Sequence, residues 1–274
     1  MDLAGRSIGA ILARPPLDPL ETRILLGHVL GLSRVQLITR SEQILTAQEA
    51  HQLESLLSRR LDGEPIAYLT GEREFYGLPF AVTPAVLIPR PETELLVELA
   101  IEKLPSGGRA IDLGTGSGAI AVALACNRPD AQVTALDASE AALDVARGNA
   151  QRNGVQVEFL HSDWYRSLDE AGNTKFDLVV SNPPYIVSGD RHLSQGDLRF
   201  EPLDALTDHG DGLSALRTII AGAPGHLAPG GWLLMEHGYD QAGAVRELLG
   251  AAGFGEVCSW CDLAGIERVS GGKR

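Results

Sequence analysis

The spacing of hydrophobic and polar positions changes along the chain, and these changes predict its main parts. Over roughly the first sixty residues, apolar side chains recur every three to four positions, which predicts helices. Pro15 separates the first two helices, and Thr46 followed by Glu49 has the spacing of a capping box at the start of a later one. We therefore predict a small helical domain over residues 1–75, and we interpret it as a module that docks a macromolecular substrate.

A change in composition near residue 63 predicts a connector between two larger parts. Residues 63–91 contain five prolines together with short β-prone runs, and they place turns at Gly71 and Gly77. Closely spaced turns between β-prone runs are typical of a hairpin. We assign residues 76–94 to a hairpin connector.

From residue 95 the pattern alternates between strands and helices. The predicted strands cover residues 110–113, 133–137, 155–160, 178–181, 232–236, 256–260 and 267–270. The predicted helices cover residues 119–126, 140–149, 212–221 and 242–251. Alternating β and α units imply an α/β fold with a doubly wound sheet over residues 95–274. Sheets of this type bind ligands beyond the carboxyl ends of their strands.

The composition narrows the class of protein. Lys and Arg total 23 against 36 Asp and Glu, and a net charge of −13 disfavours binding to a phosphate backbone. Three cysteines fit a reducing compartment, and Cys258 and Cys261 lack the second pair that a structural zinc site requires. We find neither a signal peptide nor an apolar run long enough to cross a bilayer. We therefore predict a cytoplasmic protein without a metal and without a direct nucleic-acid or membrane partner.

A glycine-rich segment follows the first strand of the predicted sheet and opens a helix. Its residues are Gly114, Thr115, Gly116, Ser117 and Gly118. Glycines allow a tight turn and close approach to a ligand, and the helix that follows presents free N–H groups to an anion. Asp137 ends the next strand about 20 residues later, where a carboxylate can accept both ribose hydroxyls of an adenosine. This combination suits NAD as well as S-adenosylmethionine.

Two further candidates follow the third predicted strand. Asp163 could accept a hydrogen bond from an adenine amino group, and Trp164 could pack on the face of the adenine ring. Burial in the core is the competing role for Trp164. The position of both residues at the end of a strand places them beside the predicted cleft.

The segment Asn182, Pro183, Pro184 and Tyr185 leaves the end of a buried strand. Proline has a fixed φ and no N–H group, so the carbonyl groups here tend to stay out of a regular ladder. The side-chain oxygen of Asn182 and the carbonyl of Pro183 then form two neutral acceptors, which match the two N–H groups of one –NH2. Tyr185 supplies a flat surface for a planar group.

This geometry predicts methyl transfer to an amide or aromatic amine. Two acceptors on the hydrogens of such a nitrogen aim its delocalised lone pair, and positioning of two reactants can supply roughly 7–11 kcal/mol of a barrier. An NAD enzyme has no use for the acceptor pair. The predicted cofactor is therefore S-adenosylmethionine, which leaves as S-adenosylhomocysteine.

Several motifs together resemble the release factor glutamine methyltransferases, which methylate the N5 atom of the glutamine in the Gly-Gly-Gln motif of class I peptide release factors. The motifs are residues 63–71, 75–77, 82–94, 114–118, 163–164, 182–185, 200–202 and 236–238. The run from Ile88 to Glu94 is the specific part, because Asn-Pro-Pro-Tyr is shared with adenine-N6 and guanine-N2 nucleic-acid methyltransferases. The similarity covers essentially the whole chain.

The resemblance implies a seven-stranded class I methyltransferase domain with an antiparallel last strand, preceded by a small helical domain and a β-hairpin connector. It implies that the glycine loop, Asp137 and Trp164 hold the cofactor, and we add Asp163 and Asn182 to that set. The catalytic and substrate-binding group is predicted to be Asn182, Pro183, Pro184 and Tyr185. Arg90 and Glu92 are assigned to the substrate, with a salt-bridged hinge as the alternative role. We expect a monomer that acts on class I release factors.

Other functions remain open at this point. A methyltransferase for the glutamine of a ribosomal protein, or for an amino group of a nucleic-acid base, could use the same acceptor pair. The base-modifying enzyme would need a basic groove. Residues 1–75 contain eight arginines and no lysine against ten acidic residues, which disfavours such a groove in the helical domain. A cofactor-binding protein without catalysis would be expected to have a damaged acceptor motif, whereas the segment from Asn182 to Tyr185 is intact.

Overall fold

Apolar residues at helical spacing build the first of two compact units, Met1–Glu72 and Arg73–Arg274. The computed structural model describes residues 3–171 and 174–274. The helices of the first unit are α1 (Ile8–Ala13), α2 (Pro19–Leu30), α3 (Arg34–Thr39), α4 (Ala47–Leu61) and α5 (Ile66–Thr70). The predicted capping box at α4 is confirmed: the backbone N–H of Glu49 donates to Thr46 Oγ1 at 3.3 Å, and that of Thr46 donates to Glu49 Oε2 at 2.7 Å. The division into residues 1–75, 76–94 and 95–274 stays a prediction.

A two-stranded hairpin lies where the sequence predicts a turn at Gly77. Strands β1 (Glu72–Phe75) and β2 (Leu78–Ala81) are joined by Tyr76 and Gly77, whose φ angles of 53° and 74° are both positive. Positive φ at both central residues is the backbone geometry that a tight hairpin requires. The buried side chain of Asn149 exchanges two hydrogen bonds with the backbone of Ala81 and donates a third to the carbonyl of Ser117. Asn149 thereby attaches the hairpin to the glycine loop.

The second unit contains the predicted doubly wound sheet. Its strands are β3 (Arg109–Leu113), β4 (Gln132–Asp137), β5 (Glu158–His161), β6 (Phe176–Ser181), β7 (Leu227–Glu236), β8 (Gly255–Cys261) and β9 (Glu267–Lys273). Within the described residues these seven strands have the order β5-β4-β3-β6-β7-β9-β8. Strands β3 to β7 pair in parallel, whereas β9 runs antiparallel to both β7 and β8. The fold that the sequence predicts, including the antiparallel last strand, is confirmed.

Helices cover both faces of this sheet. They are α6 (Glu94–Lys103), α7 (Ala119–Asn127), α8 (Glu140–Arg152), α9 (Arg166–Ala171), α10 (Leu203–Leu206), α11 (Ser214–His226) and α12 (Ala242–Ala251). Successive strand residues alternate between two hydrophobic cores, because side chains of a strand point to opposite faces. Ala110 and Leu178 join the core beneath α6 and α7, whereas Ile111 and Val179 join the core beneath α11 and α12. Among the helices of the described residues, none is long and apolar enough to cross a membrane.

The structure differs from the predicted elements in three respects. The strand predicted from residue 155 begins only at Glu158, because the backbone N–H of Val155 still bonds to Ala150 as the chain leaves α8. Pairing with β4 therefore starts where Glu158 stands opposite Thr134. Residues 190–212, for which the sequence predicted no helix or strand, contain α10 and two short 3-10 helices, Arg191–Ser194 and Gly196–Phe200. Helix α6 was absent from the predicted elements.

Two helical glycines should respond to alanine in opposite ways. A Cβ at Gly222 in α11 would lie 2.4 Å from the ring of Tyr165, which is buried and stacked on His226. We expect Gly222→Ala to lower the free energy of unfolding by roughly 1–3 kcal/mol through overpacking. The matched control is Gly148→Ala in α8, where the Cβ meets open space, and it should raise stability by about 0.5–1 kcal/mol. Urea unfolding of both variants tests this, and equal shifts in one direction would contradict the packing around Tyr165.

Candidate active site

The glycine loop and the Asn-Pro-Pro-Tyr segment are neighbours because β3 and β6 are adjacent parallel strands. Leu113 stands opposite Ser181 at the carboxyl ends of these strands, and the Ser181 hydroxyl donates to the Leu113 carbonyl at 2.7 Å. A cleft of about 360 Å³ opens at this edge of the sheet. Of the predicted site residues, those lining it are Arg90, Gly114, Thr115, Gly116, Ser117, Asp137, Asp163, Trp164, Asn182 and Pro184. Glu92, Gly118, Pro183 and Tyr185 lie outside its lining.

The glycine loop adopts a backbone that other residues would resist. Gly114, Gly116 and Gly118 have φ angles of 71°, 56° and 80°, which only glycine adopts without strain. The backbone N–H of Gly114 and that of Thr115 each donate to the carbonyl of Leu136 at 2.9 Å, so the loop is fixed to the end of β4. A Cβ on Gly118 would lie 3.0 Å from the Cβ of Ala146, which shows that Gly118 permits close packing of α8.

Asp137 joins the glycine loop to the start of α8. Its Oδ2 accepts the backbone N–H of Gly116 at 2.8 Å, and its Oδ1 accepts that of Ser139 at 2.9 Å. Burial raises the pKa of Asp137, and these backbone donors oppose the shift. Each carboxylate oxygen has a second lone pair, so Asp137 can hold the loop and accept two further hydroxyl donors from a ligand.

Trp164 lies across the first glycine of the loop. A Cβ built on Gly114 would be 3.7 Å from Cζ3 of the Trp164 ring. The backbone φ of Trp164 is 48°, an uncommon angle for a residue with a side chain. The Ser162 hydroxyl donates to the Trp164 carbonyl at 2.8 Å and accepts the N–H of Ser167, which supports this turn. Trp164 also packs partly against the hydrophobic core, so both roles predicted for it fit its position.

The side chain of Asn182 is oriented by a residue from a distant part of the chain. Its Nδ2 donates to the hydroxyl of Thr93 at 3.2 Å, and Thr93 itself is buried. Pro183 is buried, and no described residue donates a hydrogen bond to its carbonyl oxygen. The oxygen atoms of both residues therefore keep acceptor capacity for a ligand.

Tyr185 is held from both ends. Its hydroxyl donates to Glu236 Oε1 at 3.2 Å, and its carbonyl accepts from Gln241 Nε2 at 3.0 Å. Burial raises the pKa of the Tyr185 phenol, and the nearby Glu236 raises it further, so the phenol stays neutral. Tyr185 is thus fixed as a neutral ring beside the acceptor pair, without lining the cleft itself.

Arg90 and Glu92 have different environments. Arg90 lines the cleft and forms an ion pair with Glu201, whose other oxygen accepts the N–H of Ile88 at 3.0 Å. Burial raises the pKa of Glu201 and the charge of Arg90 opposes that shift. Glu92 is exposed at the start of the 3-10 helix Pro91–Thr93. The geometry of Arg90 thus agrees with the salt-bridged alternative as well as with a place on the cleft wall.

Four functional candidates escaped the sequence reasoning: Thr93, Asp112, Glu201 and Glu236. All four are buried polar residues. Asp112 accepts from the Thr115 hydroxyl at 2.7 Å, and burial raises its pKa to about 7. A carboxylate inside an otherwise apolar strand end is costly unless it has a partner or a function. The sequence shows an acidic residue within an apolar strand at both Asp112 and Glu236, whereas no feature of the neighbouring residues distinguishes Thr93.

Comparison with known proteins agrees with this arrangement. Residues 91–197 match the methyltransferase small domain, and residues 9–71 match the PrmC N-terminal domain. A release factor glutamine methyltransferase of Burkholderia pseudomallei is 58% identical over 96% of this chain and 94% of its own length. One of Neisseria gonorrhoeae is 54% identical over 94% of both chains. The 16S rRNA N2 G1207 methyltransferase of T. thermophilus, solved with AdoMet and guanosine, shares the fold. The two structures align with a TM-score of 0.54 and 24% sequence identity, and the alignment covers 74% of this chain and 49% of that chain.

The buried carboxyl of Glu236 should make stability depend on pH. Burial raises its pKa from 4.5 to about 7. Below about pH 4.5 both the folded and the unfolded chain hold this proton, whereas between 4.5 and 7 only the folded chain does. Rising pH should therefore destabilise the protein relative to Glu236→Gln, by roughly 3 kcal/mol in total, with no further change above about pH 7.

Urea unfolding of the wild type and of Glu236→Gln between about pH 5 and pH 8 measures this difference. Titration of other groups, including the buried His237, is common to both proteins and cancels. A stability difference that stays constant with pH, or that moves in favour of the wild type as pH rises, would contradict the raised pKa.

Proposed function

The chain belongs to the release factor glutamine methyltransferase family, and from this premise we propose that it transfers a methyl group from S-adenosylmethionine to the N5 amide nitrogen of a glutamine in class I peptide release factors. One observation carries the proposal: the pairing of Leu113 with Ser181 brings the glycine loop and the Asn182 acceptor into one cleft. A cofactor on the loop and an amide held by Asn182 are then neighbours. The target is the glutamine of the Gly-Gly-Gln motif.

The cofactor side of the cleft fits an adenosine that carries a short chain. Asp137 has spare acceptor lone pairs for two ribose hydroxyls, and Trp164 supplies an aromatic face. A volume of about 360 Å³ lies within the range of small-molecule sites. We assign residues 114–117, Asp137, Asp163 and Trp164 to this ligand. Of the other two residues predicted to hold it, Gly118 packs against Ala146 outside the cleft lining, and Asn182 is assigned chiefly to the substrate amide. When bound, S-adenosylmethionine supplies a methyl group on a positively charged sulfur and leaves as S-adenosylhomocysteine.

The substrate side positions a weak nucleophile. Asn182 Oδ1 and the Pro183 carbonyl accept the two N–H groups of the glutamine amide, and this pulls electron density towards nitrogen. The two acceptors would hold this nitrogen with its lone pair directed at the methyl group that S-adenosylmethionine would supply from the glycine-loop side of the cleft. After the transfer the nitrogen is cationic and acidic, so its extra proton is lost without a dedicated base. Tyr185 supports the acceptor segment from behind through its bonds to Glu236 and Gln241, and Arg90 forms the wall on the side of Glu201.

The remaining assignments concern the whole protein. We propose that the helical unit docks the release factor, since its residues 9–71 match a domain found in this family. We propose that the protein acts as a monomer, since one cleft of this chain already contains both the glycine loop and the Asn182 acceptor. A net charge of −13 argues against direct contact with nucleic acid. Release factors act on translating ribosomes, so we place the reaction in the cytoplasm.

A labelling experiment tests the substrate. The protein is incubated with methyl-labelled S-adenosylmethionine and a purified class I release factor, and the labelled residue is located by mass spectrometry. We expect label on the glutamine of Gly-Gly-Gln, and none when that glutamine is replaced by alanine. Ribosomal protein and DNA serve as comparison substrates. Label found only on the ribosomal protein or the DNA would support the proposed chemistry of the cleft but refute the release factor as its substrate.

Variants on the two sides of the cleft should fail in different ways. Asn182→Ala removes one acceptor, so we expect kcat to fall by on the order of 100-fold or more, with affinity for S-adenosylmethionine changed less than about threefold. Asp137→Ala removes the ribose acceptor, so affinity for S-adenosylmethionine should fall by on the order of tenfold or more. Calorimetric titration and single-turnover methylation separate the two effects. Loss of cofactor binding in Asn182→Ala would refute the assignment of Asn182 to the substrate.

A further inference from the structure

Thr93 lies between the acceptor residue and a buried carboxyl. It ends the 3-10 helix that precedes α6, its side chain is 4% exposed, and its hydroxyl accepts a hydrogen bond from Asn182 Nδ2. Thr93 and Asn182 are 89 positions apart in the chain. Neither the fold nor the assigned chemistry of the cleft explains why a hydroxyl should be buried here.

Glu236 lies at the carboxyl end of β7 and is 2% exposed. Its Oε1 accepts the hydroxyl of Tyr185, whereas its Oε2 is buried and has no hydrogen-bond partner among the described residues. Ser181 stands opposite Met235 in the parallel pairing of β6 with β7, so Asn182 and Glu236 are the next residues at the same edge of the sheet. The buried carboxylate oxygen that lacks a donor therefore lies beside Asn182, the residue to which the Thr93 hydroxyl is bonded.

The direction of these hydrogen bonds determines which way the amide of Asn182 faces. A threonine hydroxyl has one proton and two lone pairs, and above about pH 7, where Glu236 is ionised, its carboxylate can only accept. If the Thr93 hydroxyl donates its proton to Glu236, the Thr93 oxygen can only accept a hydrogen bond from Asn182. The –NH2 group of Asn182 then points towards Thr93. The oxygen of Asn182 then faces the cleft. A flip of the amide by 180° would present donors to the –NH2 of the substrate and lose the acceptor.

We propose that Thr93 and Glu236 are positioning residues, which form a relay from Asn182 through Thr93 to Glu236 that keeps the Asn182 oxygen turned towards the substrate amide. Glu236 also fixes Tyr185, so one buried carboxylate orients both sides of the amide site. The inference rests on the proposed function of Asn182 as an acceptor. It adds a specific chemical requirement, which is a hydroxyl at position 93 and an acceptor-only group at position 236.

The decisive comparison is Thr93→Val against Thr93→Ser. Valine keeps the shape of threonine and lacks the hydroxyl, whereas serine keeps the hydroxyl. We expect Thr93→Val to lower kcat for release-factor methylation by on the order of 10- to 100-fold, with KM for the release factor and affinity for S-adenosylmethionine within about threefold of the wild type. Thr93→Ser should retain at least about one third of the wild-type kcat. A role in packing alone would predict the opposite order, because valine preserves the packing better.

Glu236→Gln tests the other end of the relay. Glutamine can still accept from Tyr185, but its –NH2 donates to Thr93 and thereby turns the Thr93 proton towards Asn182. We expect a fall in kcat similar to that of Thr93→Val, although the side chain is nearly isosteric. Thermal unfolding of each variant confirms that it is folded, and Glu236→Gln provides the test if Thr93→Val does not fold.

The wild type is assayed in parallel so that the two levels of inference can be separated. An inactive wild type on release factor would defeat the proposed function. An active wild type with Thr93→Val at full kcat, or with Thr93→Ser reduced as far as Thr93→Val, would defeat the relay alone. A fully active Glu236→Gln would remove Glu236 from it.

Discussion

The pairing of β3 with β6 is the constraint on which the rest of the cleft depends. These strands are central and parallel, so both end at the same edge, and the buried bond from Ser181 to the Leu113 carbonyl fixes how far each extends. The glycine loop turns away from one end and the Asn-Pro-Pro-Tyr segment from the other. A slip of β6 by one residue would also reverse its two faces, because Val179 would take the place of Leu178 in the hydrophobic core beneath α6 and α7. Core packing and alignment of the site are therefore maintained by the same pairing.

Much of this arrangement follows from the sequence, because it is encoded locally. Helical and strand periodicity predicted the sheet, and the end of each parallel strand identified Gly114, Asp137, Trp164 and Asn182 as cleft residues. The errors have physical causes. The strand predicted from residue 155 was too long because its first residues complete the end of α8. Thr93 and Glu201 could not be found by spacing, since their partners lie 89 and 111 positions away. Only the folded chain brings them together.

Three buried carboxyls surround the cleft, and each has a different means of tolerating burial. Asp112 accepts the Thr115 hydroxyl beneath the glycine loop, and Glu201 is paired with Arg90 and the backbone of Ile88. Glu236 accepts from Tyr185 on one oxygen and has no partner for the other among the described residues, and burial raises its pKa to about 7. Burial of a charge costs stability unless partners compensate for it, so a core built for stability alone would place apolar residues at these points. Their position behind the loops indicates that they are retained for orientation of the site.

The acceptor pair by itself explains the chemistry better than it explains the choice of substrate. In the proposed site two neutral oxygens accept an –NH2 on a planar group, and a glutamine side chain and an amino base both present one. Selection of a release factor must therefore come from parts of the chain outside the acceptor pair. The relatives at 54–58% identity align over at least 94% of this chain, which includes the helical unit and the segment from Ile88 to Glu94. Thr93 lies in that segment, so the proposed relay joins the acceptor Asn182 to the same stretch of the chain.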